Sequence, residues 1–418
     1  SAGAGAIPTF ETLPAGRTGT VSWDTTVKTS GFTGANGVGY FCNTAGGAFT
    51  LTLPSSPSAG DIVGLKDYNG NFATANLTIG RGGSKINGED AANVIISTAG
   101  ASIFLVYVDS TQGWVATQDD ESTFAGQSFV VASGGTVTTS GNDKIHTFTG
   151  PGTFTVNSAA SSAANNLVSY MVVAGGGGSV NDRGGAGGAG GFREVKSPVT
   201  PYTASPLDGY PSSPNRITVS AQGYPITVGG GGTGDSSSPF TVGGSGSNSV
   251  FSSITSSGGG GGGRNPVSGA NGGSGGGGSS AGSGNTPPVS PSQGKNGGTA
   301  STTPLVGNGG GGGATAAGAN GSGCAAGAGG AGATTSINGT PTAFAGGGGG
   351  GSDGGGYASG GVGGGGDGGG GPYPGSSIAA QNGTTNTGGG ARGANGGGPS
   401  GVAKDGGSGI VIIRYRFQ

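Results

Sequence analysis

The sequence predicts an all-β protein: an N-terminal β-sandwich or barrel module, then a β-scaffolded glycine-rich domain holding polyglycine II-like helices. Three observations predict it. Short β-branched and aromatic runs recur at regular spacing with turn residues between them, and no segment carries a 3.6-residue period. Most of the 109 glycines fall after residue 170, in runs such as 258–263, 309–313 and 346–351. Runs of that length break the Gly-X-Y register that a collagen triple helix needs. Finally, the glycine tract is bracketed by two strand-like runs, 167–174 (LVSYMVVA) and 409–417 (GIVIIRYRF).

Residues 1–20 read as an extended junction punctuated by Gly, Ala and Pro, with Ile7, Phe10 and Leu13 spaced as apolar anchors. Residues 21–118 form the β module. Its expected strands are 20–26, 39–42, 49–53, 61–67, 77–80, 94–97, 102–108 and 114–117, and 49–53 (FTLTL) alternates strictly, as a half-buried strand does. Residues 119–126 are polar and read as a linker. Residues 127–418 form the glycine-rich domain: a β scaffold over 127–174, the glycine array and its loops over 175–408, and a closing strand over 409–418. Further strand-like runs lie at 216–220, 225–228 and 249–255. Pro clusters at 197–214, 286–291 and 372–374 read as exposed loops between glycine runs.

Glycine without a Cβ lets neighbouring backbones approach and bond laterally, each in a left-handed helix of three residues per turn. Ordering a residue costs about 1–2 kcal/mol, and a net hydrogen bond returns about 0.5–1.5 kcal/mol. Such an array needs a scaffold that fixes its ends, which the bracketing strands supply, and the same argument asks for neighbouring subunits.

Charged residues are 8% of the chain and the net charge is −2. That is too sparse for a nucleic-acid binder, which clusters Lys and Arg. No apolar run approaches the roughly 18–20 residues of a membrane span, so membrane insertion is not expected. Cys42 and Cys324 read as isolated thiols in different domains. His146, the one histidine, sits in an alternating strand rather than a catalytic setting. Asp353 and Asp367 stand singly in glycine runs, unlike calcium-binding nonapeptides. No phosphate-loop motif occurs, and Asp119-Asp120-Glu121 reads as solvated linker rather than as paired catalytic acids. No enzyme activity, metal or cofactor is expected.

Residues 140–418 resemble the glycine-rich C-terminal domain of tailed-bacteriophage tail fibres and adhesins. The likeness is carried by 144–156 (KIHTFTGPGTFTV), 168–178 (VSYMVVAGGGG), 187–192 and 406–415 (GGSGIVIIRY). Residues 21–118 are similar to a small β module of virion fibre proteins, through 51–63 (LTLPSSPSAGDIV) and 106–114 (VYVDSTQGW). The resemblance implies a virion protein, a short tail fibre or fibre tip that binds a host receptor, either a glycan or an outer-membrane protein. It also implies a homotrimer and attachment to other virion proteins through the N-terminus, where Ile7, Phe10 and Leu13 are the expected anchor. Heptad repeats and an extended shaft are absent from the sequence. Tyr210, Tyr357 and Tyr373, each amid Gly, Pro and Ser, are the expected receptor contacts, because Tyr offers a flat apolar face and a hydroxyl. Two other readings compete: a head fibre or capsid decoration without a receptor role, and a cellular glycine-rich ice-binding or cell-wall protein.

Overall fold

A computed structural model describes residues 21–88, 90, 93–118, 129–236, 242–301, 307–352, 358–368, 381–394 and 402–417. The chain divides into two compact units, Ser1–Ser128 and Phe129–Gln418.

The first unit contains β1 (Ser22–Lys28), β2 (Phe32–Thr33), β3 (Val38–Cys42), β4 (Phe49–Thr52), β5 (Ile62–Asp67), β6 (Leu77–Gly80), β7 (Val94–Ile96), β8 (Ser102–Asp109) and β9 (Gly113–Gln118). One sheet has the order β1-β3-β5-β8-β9 and the other β2-β4-β6-β7. Period-two alternation turns Tyr40, Cys42, Leu51, Leu53, Val63, Leu65, Leu77 and Ile79 into one shared core. The winding is not that of a hairpin sandwich. Successive strands from β1 to β6 alternate between the sheets, and β1, β3 and β5 run parallel, as do β2, β4 and β6. The chain therefore coils, and antiparallel β7, β8 and β9 close it. Residue alternation reveals the inward face but not the direction of the neighbouring strand. Strand β2, two residues long, is too short to leave a pattern.

The second unit contains β10 (Val131–Ser133), β11 (Thr136–Ser140), β12 (Asp143–Phe148), β13 (Gly152–Ser158), β14 (Leu167–Val173), β15 (Phe192–Val195), β16 (Ile217–Thr218), β17 (Gly223–Thr227), β18 (Ser249–Phe251), β19 (Ile254–Ser256), β20 (Ala333–Thr335), β21 (Thr342–Phe344) and β22 (Ile410–Arg416). Two sheets, β10-β13-β17-β18-β19 and β11-β12-β22-β14-β15, form a sandwich, with β16 also paired to β14. The two bracketing runs pair, as expected: β14 and β22 are antiparallel, from Val173 opposite Ile410 to Ser169 opposite Arg414. Their near-continuous apolar character follows from burial on both faces. Val168, Tyr170, Val172, Val411, Ile413 and Tyr415 face the sandwich core. Met171, Val173, Ile410 and Ile412 face a second core with Phe192, Ile337 and Phe344.

Three local expectations are corrected. The run 249–255 is a hairpin rather than one strand, turning at Ser252 with φ +55°. The hairpin β20–β21 lies inside the glycine tract, where three-residue strands among glycines gave no signal. Residues 197–214 are not a simple exposed loop: Ser197, Thr200 and Ser205 are buried. The Thr200 hydroxyl lies 2.6 Å from that of Ser169 on β14, and the Ser205 amide donates to Glu194 on β15.

Candidate functional site: the free end of the glycine array

Strand β14 runs straight into the first polyglycine helix, and its hydrogen bonds show the three-residue period. The amides of Gly175 and Gly178 donate to Ser247 and Gly244. Those of Gly176 and Ser179 donate to Gly407 and Lys404, and that of Gly177 to Gly188. Successive residues thus bond to different neighbouring helices, and every third residue returns to the same one.

The segment 184–191 is enclosed. It donates to three segments: 257–263 from Gly185, Gly188 and Gly191; 309–312 from Ala186 and Ala189; and 388–394 from Gly184, Gly187 and Gly190. It accepts from three more: the amides of Ala174 and Gly177, of Ser274 and Gly277, and of Gly348. Six neighbours around one helix is hexagonal packing. A Cβ at Gly187 would lie 2.0 Å from the Gly177 carbonyl oxygen, and one at Gly190 2.0 Å from that of Ala174. Ala186 and Ala189 are three residues apart and so share one side, and both are fully buried. All these partners lie within one chain, so at this helix no neighbouring subunit is needed to complete the array.

At the perimeter, side chains take the place of a missing neighbour. Asn271 Oδ1 accepts from the Ser283 amide at 2.7 Å, Asn296 Oδ1 from Gly284 at 2.9 Å, and Asn320 Oδ1 from Thr299 at 2.9 Å. Asp405 does the same for Gly234, and Asp367 for Gly360. Each amide that would otherwise face water is satisfied by a carbonyl or carboxylate. Asp367 therefore has a structural partner of its own.

The strands enter the array at one end, and its helices turn back at the other. Paired positions at that free end include Val180 with Asp235, Gly184 with Arg264, Val242 with Gly263, and Gly307 with Ser352. The reversal between the first two helices carries Asn181, Asp182 and Arg183, with Asp182 at φ +44° and Arg183 at φ +62°. Arg264 Nη2 lies 2.5 Å from Asp182 Oδ2, and Asn181 Nδ2 donates to the Ser236 carbonyl at 3.1 Å. Arg183 is the most exposed of these charged side chains, at 52%. The result is a polar cluster on a backbone-bonded base. The sequence reading passed over these residues. Their signal was the charged break at 180–183 between two glycine helices.

Of the three expected tyrosines, Tyr210 is the one among the described residues. Tyr210 lies at the sheet end of the domain, packed against the sandwich core. Its ring stacks 4.3 Å from the Arg216 guanidinium, and its carbonyl accepts from Arg216 Nε at 2.8 Å. It pins its own loop. Tyr357 and Tyr373 lie outside the described residues, as do Ile7, Phe10 and Leu13. The described residues that flank the two tyrosines, Ser352 and Ala358, and Gly368 and Gln381, are at or next to the free end. Gly307 bridges Ser352, and the Gly368 amide bonds to the Ala358 carbonyl.

Among the described residues, His146 and Cys42 are held by structure. His146 is buried, with Nδ1 2.7 Å from the Gly134 carbonyl oxygen and Nε2 3.1 Å from the Tyr415 hydroxyl. Burial pushes its pKa down, against the Gly134 contact. Cys42 is a buried free thiol, pushed up to about 12 by burial, which keeps it protonated and unreactive.

Residues 147–416 match the family described as a glycine-rich domain. The chain belongs to that family. No curated protein matches the chain. The glycine-rich domain as matched begins within β12 and ends within β22, so it takes in most of the sandwich, the central pair β14–β22 and the whole described array.

Proposed function

We propose that this protein is a bacteriophage virion structural protein, a short tail fibre or fibre tip that binds a host receptor and carries out no catalysis. One observation carries the reading. The interior of the array is bonded backbone to backbone, the array is anchored in sheets at one end, and it gathers chain reversals at the other. Such a scaffold holds its fold while the residues at its free end vary, because glycine packing uses no side chains there. The receptor, a surface glycan or outer-membrane protein, would meet that end. Tyr357 and Tyr373 belong to the contact set, and Asp182, Arg183 and Arg264 join it. Homotrimer formation and attachment to other virion proteins through Ile7, Phe10 and Leu13 rest on the resemblance to phage fibres. Localisation on a virion appendage follows from the same reading.

The head-fibre or capsid-decoration reading shares this architecture and lacks only the receptor. Ice binding has less support, since that reading needs no appended β module such as the first unit. The deciding experiment is immunogold labelling of virions combined with competition of adsorption by the purified protein. Label on the tail with blocked adsorption is expected. Label on the head without competition would move the protein to the decoration reading.

A further inference from the structure

In the first unit, the outer face of the β1-β3-β5-β8 sheet carries two adjacent rows in register. One is Trp23, Gly39, Gly64 and Phe104, and the next is Phe41, Lys66 and Ser102. Their strand neighbours Tyr40, Val63, Leu65 and Leu105 point the other way, into the core. Side chains ordinarily stand up from a sheet. Here the two glycines leave the middle of the first row bare, and the rings at its ends lean in over the gap. Trp23 Cδ2 and Cε3 lie 2.8 Å from where a Gly39 Cβ would stand, and Phe104 Cε1 lies 3.3 Å from the same position at Gly64. Val21 Cγ2, 2.7 Å and 2.9 Å from those two positions, fills the space between the rings.

The result is a connected aromatic patch that stays partly open. The rings of Trp23 and Phe41 lie 4.9 Å apart and are inclined by 32°. Phe104 meets Trp23 edge-on at 6.0 Å, and Tyr68 meets Phe41 edge-on at 6.5 Å. Trp23 is 37% exposed and Tyr68 52% exposed. Hydrogen-bonding groups lie beside the rings. The Lys66 ammonium donates to the Gly100 carbonyl and has further N–H groups to give, and Ser102 is exposed.

We infer that this face is a binding site for a neutral oligosaccharide. Its area selects that occupant over a protein. Four strands at about 4.8 Å spacing make it about 15–20 Å wide, and two rows two residues apart make it roughly 10 Å long. That is on the order of 200 Å², against about 800 Å² per partner in a stable protein interface. A second copy of the chain would need far more surface than this, whereas a short glycan would not. The chemistry agrees with the size. A pyranose ring presents a face of C–H groups bordered by hydroxyls. Trp23, Phe41 and Tyr68 supply the apolar contact, and Lys66, Ser102 and the Tyr68 hydroxyl supply partners for the border. Lys66 is the one charged side chain in the two rows and its ammonium is already bonded, so the ligand needs no charge of its own. The site belongs to the first unit and does not depend on the virion reading.

The test uses the full chain, with maltohexaose and cellohexaose as probes. Of the two tryptophans, Trp114 is fully buried, so acrylamide quenching reads Trp23. One of the two sugars at millimolar concentration is expected to lower the quenching constant at least twofold. Tyr68→Ala is expected to raise the half-saturating sugar concentration at least about threefold, the worth of one aromatic contact. Absence of protection by both sugars overturns the inference, whether or not the variant folds. Equal protection by glycerol at the same mass concentration also overturns it, as does a folded Tyr68→Ala variant with unchanged saturation. A sugar-free constant that rises on dilution overturns it too, and assigns the face to a second copy of the chain.

Discussion

Arg414 Nε lies 2.7 Å from Asp143 Oδ2, and the two side chains are 3% and 0% exposed. The pair joins the last strand to one laid down before the array begins. Arg414 also donates to the carbonyls of Ile337 and Pro201, and its guanidinium lies 5.1 Å from the Tyr202 ring, so it ties β22, β12, the 197–214 segment and the residues after β20 together. Burial pushes the Asp143 carboxyl up, against the lowering by Arg414.

Removing one partner leaves a buried group without its counter-charge, at a cost of about 3–5 kcal/mol. Arg414→Ala is therefore expected to lower the denaturation midpoint of the second unit strongly. Asp143→Leu combined with Arg414→Met should recover much of the loss. Deleting residues 409–418 removes β22 from the middle of its sheet and should abolish protease resistance of the array. A truncated chain as resistant as the full one would show that the array stands without its closing strand.

Glycine is required position by position in the array. Gly187→Ala would place a methyl 2.0 Å from the Gly177 carbonyl oxygen, whereas a Cβ at Gly230 meets nothing within 4 Å. Gly187→Ala should prevent folding or cost several kcal/mol, on the order of the largest overpacking effects. Gly230→Ala should stay within about 0.5 kcal/mol, or gain slightly by restricting the unfolded chain. Thermal melts of the two variants side by side check this. Equal behaviour would remove close packing as the reason for the glycines.

Much of this architecture could be read from the residues. The runs 167–174 and 409–417 are apolar on both alternating sets of positions, because their sheet is covered on both faces, and that character survives in the sequence. The glycine runs announced backbone packing. The lateral partners could not be read, since a glycine has no side chain to signal which helix it faces. Ala186 and Ala189 are the exception, their three-residue spacing marking one side. The coil of the first unit was hidden because parallel and antiparallel neighbours give the same alternation. The place of Tyr210 at the sheet end could not be read, because Gly and Pro surroundings do not separate a loop at the sheet end from one at the free end.

Glu194 sets a pH dependence. It is buried, its Oε2 accepts from the Ser205 amide at 2.9 Å, and Oε1 accepts from the Thr335 hydroxyl. Burial pushes its carboxyl up from the usual 4.5, with the hydrogen bonds opposing. The native state then holds the proton more tightly than the unfolded chain. This contribution is fully present below the unfolded pKa and is lost as pH rises through the folded one. Asp143 acts with the same sign and His146, whose pKa is lowered, with the opposite sign. The difference between wild type and Glu194→Gln isolates the Glu194 part. The variant should gain relative stability as pH rises from the unfolded value near 4.5 until Glu194 is ionised in the folded state, and the difference should then level off. A pH-independent difference in denaturation midpoint would rule out titration of Glu194 as the cause.

Recognition should depend on the free end and not on Tyr210. Arg and Tyr dominate interface energetics, and truncating an anchor costs about 2 kcal/mol or more, a loss of at least about tenfold in affinity. Arg183 is exposed on a reversal held at its base by the Val180–Asp235 pairing, and Arg264 is fixed beside it by Asp182. The partly exposed Arg264–Asp182 pair lies at the surface, where such a pair adds on the order of 1 kcal/mol, so the double variant Arg183→Ala, Arg264→Ala should keep its fold, which a thermal melt checks. Its binding to host cells, and that of Tyr357→Ala with Tyr373→Ala, is expected to fall at least tenfold. Tyr210→Ala removes a ring stacked on Arg216 at the sheet end, so it should lower the melting temperature slightly and leave adsorption unchanged. The reverse pattern, with adsorption lost only in Tyr210→Ala, would move the receptor surface to the sandwich. Full adsorption by all three variants would leave a structural fibre or capsid decoration.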